Sequence, residues 1–325
     1  MIVPRHWAQA RLQGKRPGKQ ITLYRFGWSN ESAQAAQAMA DERVRAAMAR
    51  ALAGEQLSQR EPKVPYNGAE GVPIREEILS EHGEDVVTRN SYGARCLNTP
   101  DVLIADVDFA PRREGCLEGA AVLLVMLVAI VLWTVTGSLS IAVQLAFGAV
   151  VALLFLARLV RWLRLRIAGG AERLARSRIE GFIAKHPEWR LHSYRTPAGL
   201  RLIATHRCFS PTEPAVKELF DALHVDPLYV TMCTRQQCFR ARLTAKPWRI
   251  GMESHLTPRP GVWPVNEDRL PARAKWIAAY EAKAAGFAAC RWLETFGTGQ
   301  GLPRAEALRV LHDELSRARS TLPLA

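Results

Sequence analysis

Two apolar runs lie back to back between residues 117 and 160, and they restrict the possible folds of this chain more than any other feature. The first extends from Leu117 to about Thr136 with Glu118 as its one charged residue, and the second from Ile141 to about Val160. Each has roughly twenty residues, the length needed to cross about 30 Å of hydrocarbon. We therefore expect a two-helix transmembrane hairpin over 117–160. The alternative is a buried helical hairpin in a water-soluble core.

Arginines flank this pair of runs on both sides. They are Arg112 and Arg113 before the first run, and Arg158, Arg161, Arg164 and Arg166 at the end of the second and after it. The segment between the runs carries no charge. By the positive-inside rule, both flanks face the cytoplasm. We expect an integral protein of the cytoplasmic (inner) membrane with two spans, both termini in the cytoplasm, and the lipid bilayer as a partner.

The charge balance points to anionic partners. Lys and Arg number 44 against 31 Asp and Glu, a formal net charge of +13. Such a surplus favours nucleic acid or anionic lipid headgroups, although membrane topology alone also produces an excess of arginine. The six cysteines are expected to be thiols or metal ligands in a cytoplasmic chain, since disulfides are rare there.

Residues 1–100 are expected to form an N-terminal cytoplasmic α/β segment. The stretch "ITLYRFGW" has the composition of a strand. An alanine-rich helix is predicted from about Ser32 to Leu52, with its cap among Ser29, Asn30 and Ser32. At the other end of the chain, residues 261–325 are expected to be a helical segment that packs on the sheet.

The middle of the chain predicts an α+β fold with a ferredoxin-like or RRM-like sheet. A first strand lies in residues 101–116, and the hairpin over 117–160 would be an insertion after it. Residues 161–260 then give helix, strand, strand, helix and strand, the last being "PLYVTMC". This order is the split βαβ arrangement, in which the first and third strands are central neighbours.

Asp106 and Asp108 stand two residues apart on the first strand, so their side chains are expected on one face. His206 ends the third strand, beside them in this fold. Paired carboxylates bind Mg²⁺ or Mn²⁺ together with substrate phosphates, and two such ions can stabilise a phosphoryl displacement. The competing interpretation is a strand-end pair that caps the following turn near Arg112.

Three short motifs in this region resemble the catalytic core of the archaeo-eukaryotic primase superfamily, which includes the primase-polymerases. They are "ADVD" with Asp106 and Asp108, "ATH" with His206, and "HVD" with Asp226, in that order. The resemblance implies that the three acids hold divalent metal and that the histidine touches a nucleotide phosphate. It also implies nucleotidyl transfer on an RRM-like sheet.

Basic residues near these motifs are candidates for binding phosphates, because guanidinium and ammonium groups donate charged hydrogen bonds. They are Arg195, Arg201, Arg240, Arg242, Lys246 and Arg249. Arg240 and Arg242 are two apart on a predicted strand and would point the same way, either as an anion-binding edge or as a solvated face.

A zinc site is a second metal hypothesis. His206 and Cys208, with Cys233 and Cys238, supply four N/S ligands in two close pairs, as tetrahedral zinc requires. The alternative is that these cysteines are reduced and pack as small hydrophobic side chains.

The sequence thus predicts a membrane-anchored cytoplasmic domain that binds nucleotide or nucleic acid with divalent metal. Its activity, where retained, would be nucleotidyl transfer. The alternative is a non-enzymatic integral membrane protein whose basic domain meets lipid or another protein. The sequence contains no P-loop, no dinucleotide fingerprint and no Ser/His/Asp nucleophile signature, and it leaves open whether the protein is an enzyme.

Overall fold

The computed structural model describes residues 3–16, 18–61, 72–109, 130, 133–134, 137, 139–167, 169–259, 261 and 263–325. The chain divides into two compact units. The first combines Met1–Val107 with Gly181–Ala325, and the second is Asp108–Glu180.

The described residues combine strands and helices in an α+β arrangement. The strands are β1 (His6–Arg16), β2 (Lys19–Ser29), β3 (Glu77–His82), β4 (Asp85–Arg89), β5 (Arg95–Thr99), β6 (Ile104–Asp108), β7 (Leu191–Arg195), β8 (Gly199–Ala204), β9 (Phe239–Arg242) and β10 (Arg291–Phe296). The helices are α1 (Ala33–Leu52), α2 (Leu139–Ile167), α3 (Ala171–Ile183), α4 (Pro214–Leu223), α5 (Pro227–Gln236), α6 (Leu270–Ala284) and α7 (Pro303–Ser316).

The strands form three sheets within these ranges. β1 and β2 pair as an antiparallel hairpin. The second sheet has the order β3-β4-β5-β9, and the third has the order β10-β7-β8-β6. The second and third sheets therefore each join strands that are far apart in the sequence. Because β5 belongs to the second sheet and β6 to the third, the segment 100–103 between them passes from one sheet to the other.

The predicted ferredoxin-like sheet is wrong in two respects. β6, the expected central strand, lies at the edge of its sheet beside β8. The expected last strand, "PLYVTMC", is helix α5. The reason is local: the Asp226 carboxylate accepts the N–H of Leu228, and Pro227 occupies the first helical position, where its missing N–H costs nothing.

The predicted transmembrane hairpin is also wrong. Of the residues that the structure describes, no helix is both long and apolar enough to cross a bilayer. The second apolar run is part of α2, whose 29 residues continue through the arginines from 158 to 166. The first run lies largely outside the described residues. The prediction of an integral inner-membrane protein with two spans falls with this finding.

The N-terminal helix is confirmed. α1 begins directly after Ser32, whose hydroxyl accepts the N–H of Ala35 and thereby satisfies one free donor of the first turn. Alanine at successive buried positions lets this helix lie close to the hairpin. A Cβ added at Gly27 of β2 would come within 2.2 Å of the Ala36 oxygen and the Ala40 nitrogen. Gly27 is thus required by the close approach of helix and strand.

The C-terminal region is less helical than predicted. α6 and α7 are present, but Arg291–Phe296 forms β10 and pairs antiparallel with β7. A bulge between Trp292 and Glu294 interrupts the register of this pair. β10 forms one edge of the third sheet. The C-terminal region therefore supplies a strand of this sheet in addition to its helices.

We predict that Gly27→Ala destabilises the protein, because the added methyl group must push α1 away from β2. The free energy of unfolding should fall by about 1–3 kcal/mol, as in other overpacked sites. Urea denaturation measures the effect. Gly181→Ala is the matched control: its Cβ would meet nothing within 4 Å, and alanine in a helix should leave stability unchanged or raise it by up to about 1 kcal/mol. Equal effects of the two substitutions would contradict the explanation.

Candidate functional site

Asp106 forms an ion pair with a buried arginine. The Arg201 guanidinium donates from Nε to Oδ1 at 2.8 Å and from Nη2 to Oδ2 at 3.0 Å. The Arg201 side chain is 2% exposed and that of Asp106 is 40% exposed. Burial lowers the pKa of Arg201, but Asp106 more than offsets this and keeps the pKa above its ordinary value. Both oxygens of Asp106 are therefore engaged by a permanent cation.

The predicted carboxylates do not assemble into a metal centre. Asp108 is exposed and belongs to the second compact unit, whereas Asp226 caps α5. Across the described part of the chain, no three His, Cys, Asp or Glu side chains are grouped so that they could hold a metal ion. The prediction of a metal-binding protein is therefore wrong for these residues.

His206 lies in an aromatic cluster. Its ring centroid is 4.7 Å from that of Trp189 and 5.3 Å from that of Phe209. Its Nδ1 accepts the N–H of Arg190 at 3.3 Å. Burial, with a smaller effect of Arg207, lowers the pKa of His206 to about 4. The imidazole is uncharged at neutral pH, so it offers no cation to a phosphate.

The cysteines proposed as zinc ligands are protonated thiols, and they are not grouped with a third ligand in the described residues. The Cys208 thiol donates to the Asp101 carboxylate at 3.3 Å, and burial and this bond raise its pKa to about 11. Cys233 and Cys238 are buried. Burial raises the pKa of Cys238 to about 12 and that of Cys233 well above its ordinary value. Cys233 and Cys238 pack as small apolar groups, the alternative given above, whereas Cys208 is partly exposed and hydrogen-bonded.

The candidate phosphate-binding residues divide into interior and surface groups. Arg240 is buried against Glu76, with Nη2 and Oε2 2.5 Å apart, and Arg201 is occupied as described. Arg242 donates to the Thr244 carbonyl at 2.6 Å. Like Arg242, the remaining three are partly exposed: Arg195, which donates to the Gly199 carbonyl, and Lys246 and Arg249, which flank Trp248.

The β1–β2 hairpin carries a concentration of positive charge. Its 24 residues, His6–Ser29, contain five Lys or Arg side chains and no acidic one. The whole chain of 325 residues has a net charge of +13. Arg25 is buried, and the other four are exposed: Arg11, Lys15, Arg16 and Lys19. Three of these four lie at the hairpin tip. The net charge of the chain is thus unevenly distributed.

Along both strands of this hairpin, residues that face α1 alternate with residues on the opposite face. The opposite face carries aromatic side chains. Its members are Trp7, Gln9, Arg11, Gln13 and Lys15 on β1, and Gln20, Thr22, Tyr24, Phe26 and Trp28 on β2. We call this set the hairpin face. Trp7 pairs with Trp28 across the strands, with ring centroids 5.8 Å apart. Most of these side chains are partly or fully exposed.

Guanidinium groups lie over the rings of the hairpin face. Arg60 is 4.8 Å from the centroid of Tyr24, and Arg75 is 3.5 Å from that of Phe26 and 5.5 Å from that of Trp7. Burial lowers the pKa of Arg75 to about 10, which leaves it charged at neutral pH. Arg60 and Arg75 therefore place positive charge over the rings of the hairpin face, and Arg75 is partly buried where it also donates to the Trp263 carbonyl.

Sequence reasoning recognised "ITLYRFGW" as a strand but missed this surface. The signal was present: Tyr24, Phe26 and Trp28 recur at every second position, and no acid occurs in the hairpin. Aromatic residues in strands most often face a core, and only the position of α1 shows that these three lie on the opposite face.

Comparison with known proteins gives no match: no protein-family model, no curated protein and no solved structure is similar to this chain. The resemblance to primases is therefore a prediction that these comparisons leave untested.

We predict that Asp106→Asn destabilises the fold, because it leaves Arg201 buried without a counter-charge. The free energy of unfolding should fall by about 2–3 kcal/mol, toward the low end for buried pairs since one side of the carboxylate is exposed. Urea denaturation measures this. Asp221→Asn is the control, since its pair with Lys217 has side chains 68% and 78% exposed; it should leave stability close to that of the wild type, because exposed pairs contribute little. Near-wild-type stability of Asp106→Asn would contradict a structural role.

A second prediction concerns pH. The ordinary imidazole pKa is 6.5, and burial lowers that of His206 to about 4. Between these values the unfolded chain binds a proton that the folded chain excludes, so stability should fall as the pH drops from about 6.5 to about 4. His206→Phe keeps a ring beside Trp189 and should reduce this slope when unfolding is measured across that pH range. An unchanged slope in the variant would contradict the assignment.

Proposed function

We propose that this protein binds single-stranded nucleic acid on the hairpin face. The observation that supports it is the combination of partly exposed rings, guanidinium groups over those rings and exposed cations on a hairpin whose own residues include no acid. The nearby Glu61 carboxylate accepts the N–H of Phe26 and is paired with Arg43. Proteins that bind single strands combine these two elements: a positive surface that follows the backbone and rings on which successive bases stack.

Stacking would supply the contacts to bases. Tyr24, Phe26 and Trp28 are spaced by two residues along β2, so their rings follow one line. Both aromatic rings and arginine planes stack on unpaired bases. A base can therefore lie against a ring of this surface or against the arginine above it. Since every base has a π-face, such binding tolerates sequence differences.

The hairpin tip would supply the contacts to phosphates. Lys15, Arg16 and Lys19 are exposed side by side near the turn. Lysine and arginine release condensed counterions when they neutralise phosphates, which makes the affinity depend on salt. A duplex keeps its bases stacked inside the helix, so they cannot stack on the rings of the hairpin face. Its affinity for this surface would come from the electrostatic contacts alone.

The proposal keeps the nucleic-acid part of the sequence-based prediction and omits nucleotidyl transfer. Asp106 is neutralised by Arg201, and no group of metal ligands occurs in the described residues. A transfer reaction of the expected kind needs carboxylates free to hold two metal ions. Binding needs only the surface.

The test is fluorescence anisotropy with a labelled single-stranded oligonucleotide of about 15 nucleotides, near the upper site size of a small module. Tyr24→Leu removes a ring but keeps apolar volume, and the affinity should fall by about 1–3 kcal/mol. Lys15→Ala should reduce the slope of log K against log salt by about 0.7. These two variants separate stacking from charge.

Lys217→Ala serves as the control for charge, since it removes an exposed lysine from α4. It should leave the affinity and the salt slope near those of the wild type. A duplex of the same length should bind more weakly than the single strand. Binding that is equal for all variants, or stronger for the duplex, would contradict the proposal.

A further inference from the structure

A second exposed aromatic group lies outside the hairpin. Trp248 occupies the 3-10 turn Pro247–Arg249 and is 48% exposed. The centroid of the His255 ring is 5.0 Å from that of Trp248 with 32° between the planes, and Tyr92 meets the indole edge-on at 5.4 Å. We call Tyr92, Lys246, Trp248 and His255 the Trp248 surface. It shares no residue with the hairpin face.

The loop that presents Trp248 is fixed from below. Tyr280 donates its hydroxyl to the Ala245 carbonyl at 2.7 Å, and the Trp276 indole N–H donates to Ser254 at 3.2 Å. The N–H of Leu256 is bonded to the Tyr92 carbonyl. Trp276 and Tyr280 fill the core beneath. Trp248 therefore lies on a rigid base without being needed to fill that core.

Positive charge accompanies the exposed ring. The Lys246 ammonium lies 5.3 Å from the Trp248 centroid. Arg249 follows in the same turn. The Lys283 ammonium donates a hydrogen bond to the Gly251 carbonyl of this loop at 2.8 Å. Glu253 is the one acid between residues 246 and 259, against Lys246, Arg249 and Arg259. The surface thus offers a half-exposed indole with an ammonium over its ring and further basic residues in the same loop.

We propose that the Trp248 surface is a separate binding site for an unpaired nucleobase and the phosphate attached to it. An indole is a good stacking partner for a base, because every base has a π-face. The ammonium of Lys246 lies within reach of a group bound on the same ring and pairs with the phosphate. Two ligands present an unpaired base with its phosphate: a free nucleotide, or another segment of a bound single strand.

The experiment has two arms on the full chain. The first measures anisotropy of a fluorescently labelled adenosine monophosphate, and the second that of labelled single strands of increasing length. Trp248→Ala should weaken binding roughly fivefold or more in at least one arm, and Trp248→Tyr, which keeps a ring, should restore most of it. Lys246→Glu tests the phosphate contact with the indole in place, so the result does not depend on the alanine variant alone.

Trp133→Ala is the matched control, because that indole is 47% exposed; it should leave both arms unchanged. Loss in the first arm identifies a free nucleotide, and loss confined to long strands identifies a strand segment. Wild-type affinity of both Trp248→Ala and Lys246→Glu in both arms would overturn the inference. The proposed function fails separately, since it depends on Tyr24 and Lys15.

Discussion

The buried guanidinium of Arg201 is the interaction on which the third sheet depends. It starts from β8 and reaches Asp106 on the neighbouring strand β6, the Arg242 carbonyl at the end of β9, at 2.8 Å, and His312 of α7. A permanent charge removed from water is costly unless its donors are satisfied. Because one side chain meets three elements, a shift of any of them leaves a buried donor unpaired. This requirement fixes where the two larger sheets meet.

The same rule explains why the interior charges are unsuited to ligand binding. Arg240 lies against Glu76, and the buried Asp85 accepts from both terminal nitrogens of the partly exposed Arg304 at 2.7 Å. An acid that neutralises a buried arginine cannot also neutralise a metal ion without leaving the arginine unpaired. Positive charge in the hairpin has no such internal partner among its own residues. Surplus charge is therefore a better guide to binding surfaces here than buried acid–base clusters.

The helices and strands that were predicted correctly depend on residues close together in the sequence. The Ser32 cap and α1 follow from short-range chemistry, and β7 with β8 follows from alternation around a turn. What sequence reasoning missed depends on distant residues. Asp106 and Arg201 are 95 positions apart, and no local pattern marks them as partners. The apolar run at 227–233 fits strand and helix alike, and the Asp226 cap together with Pro227 at the first helical position favours α5. For the candidate site, the residue types were visible but their faces were not.

Three tryptophans show why exposure, and not residue type, distinguishes a binding surface. Trp276 is 8% exposed, stacks on Tyr280 with 9° between the planes, and uses its N–H on Ser254. Its ring is buried against neighbouring side chains, so no base can reach it. Trp189 is likewise buried among Phe182, His206 and Phe209. Trp248 has aromatic neighbours as well, yet 48% of it faces solvent. Since burial of an indole is favourable, a rigid loop that holds one half-exposed beside a lysine gives up stabilisation that a ligand would supply.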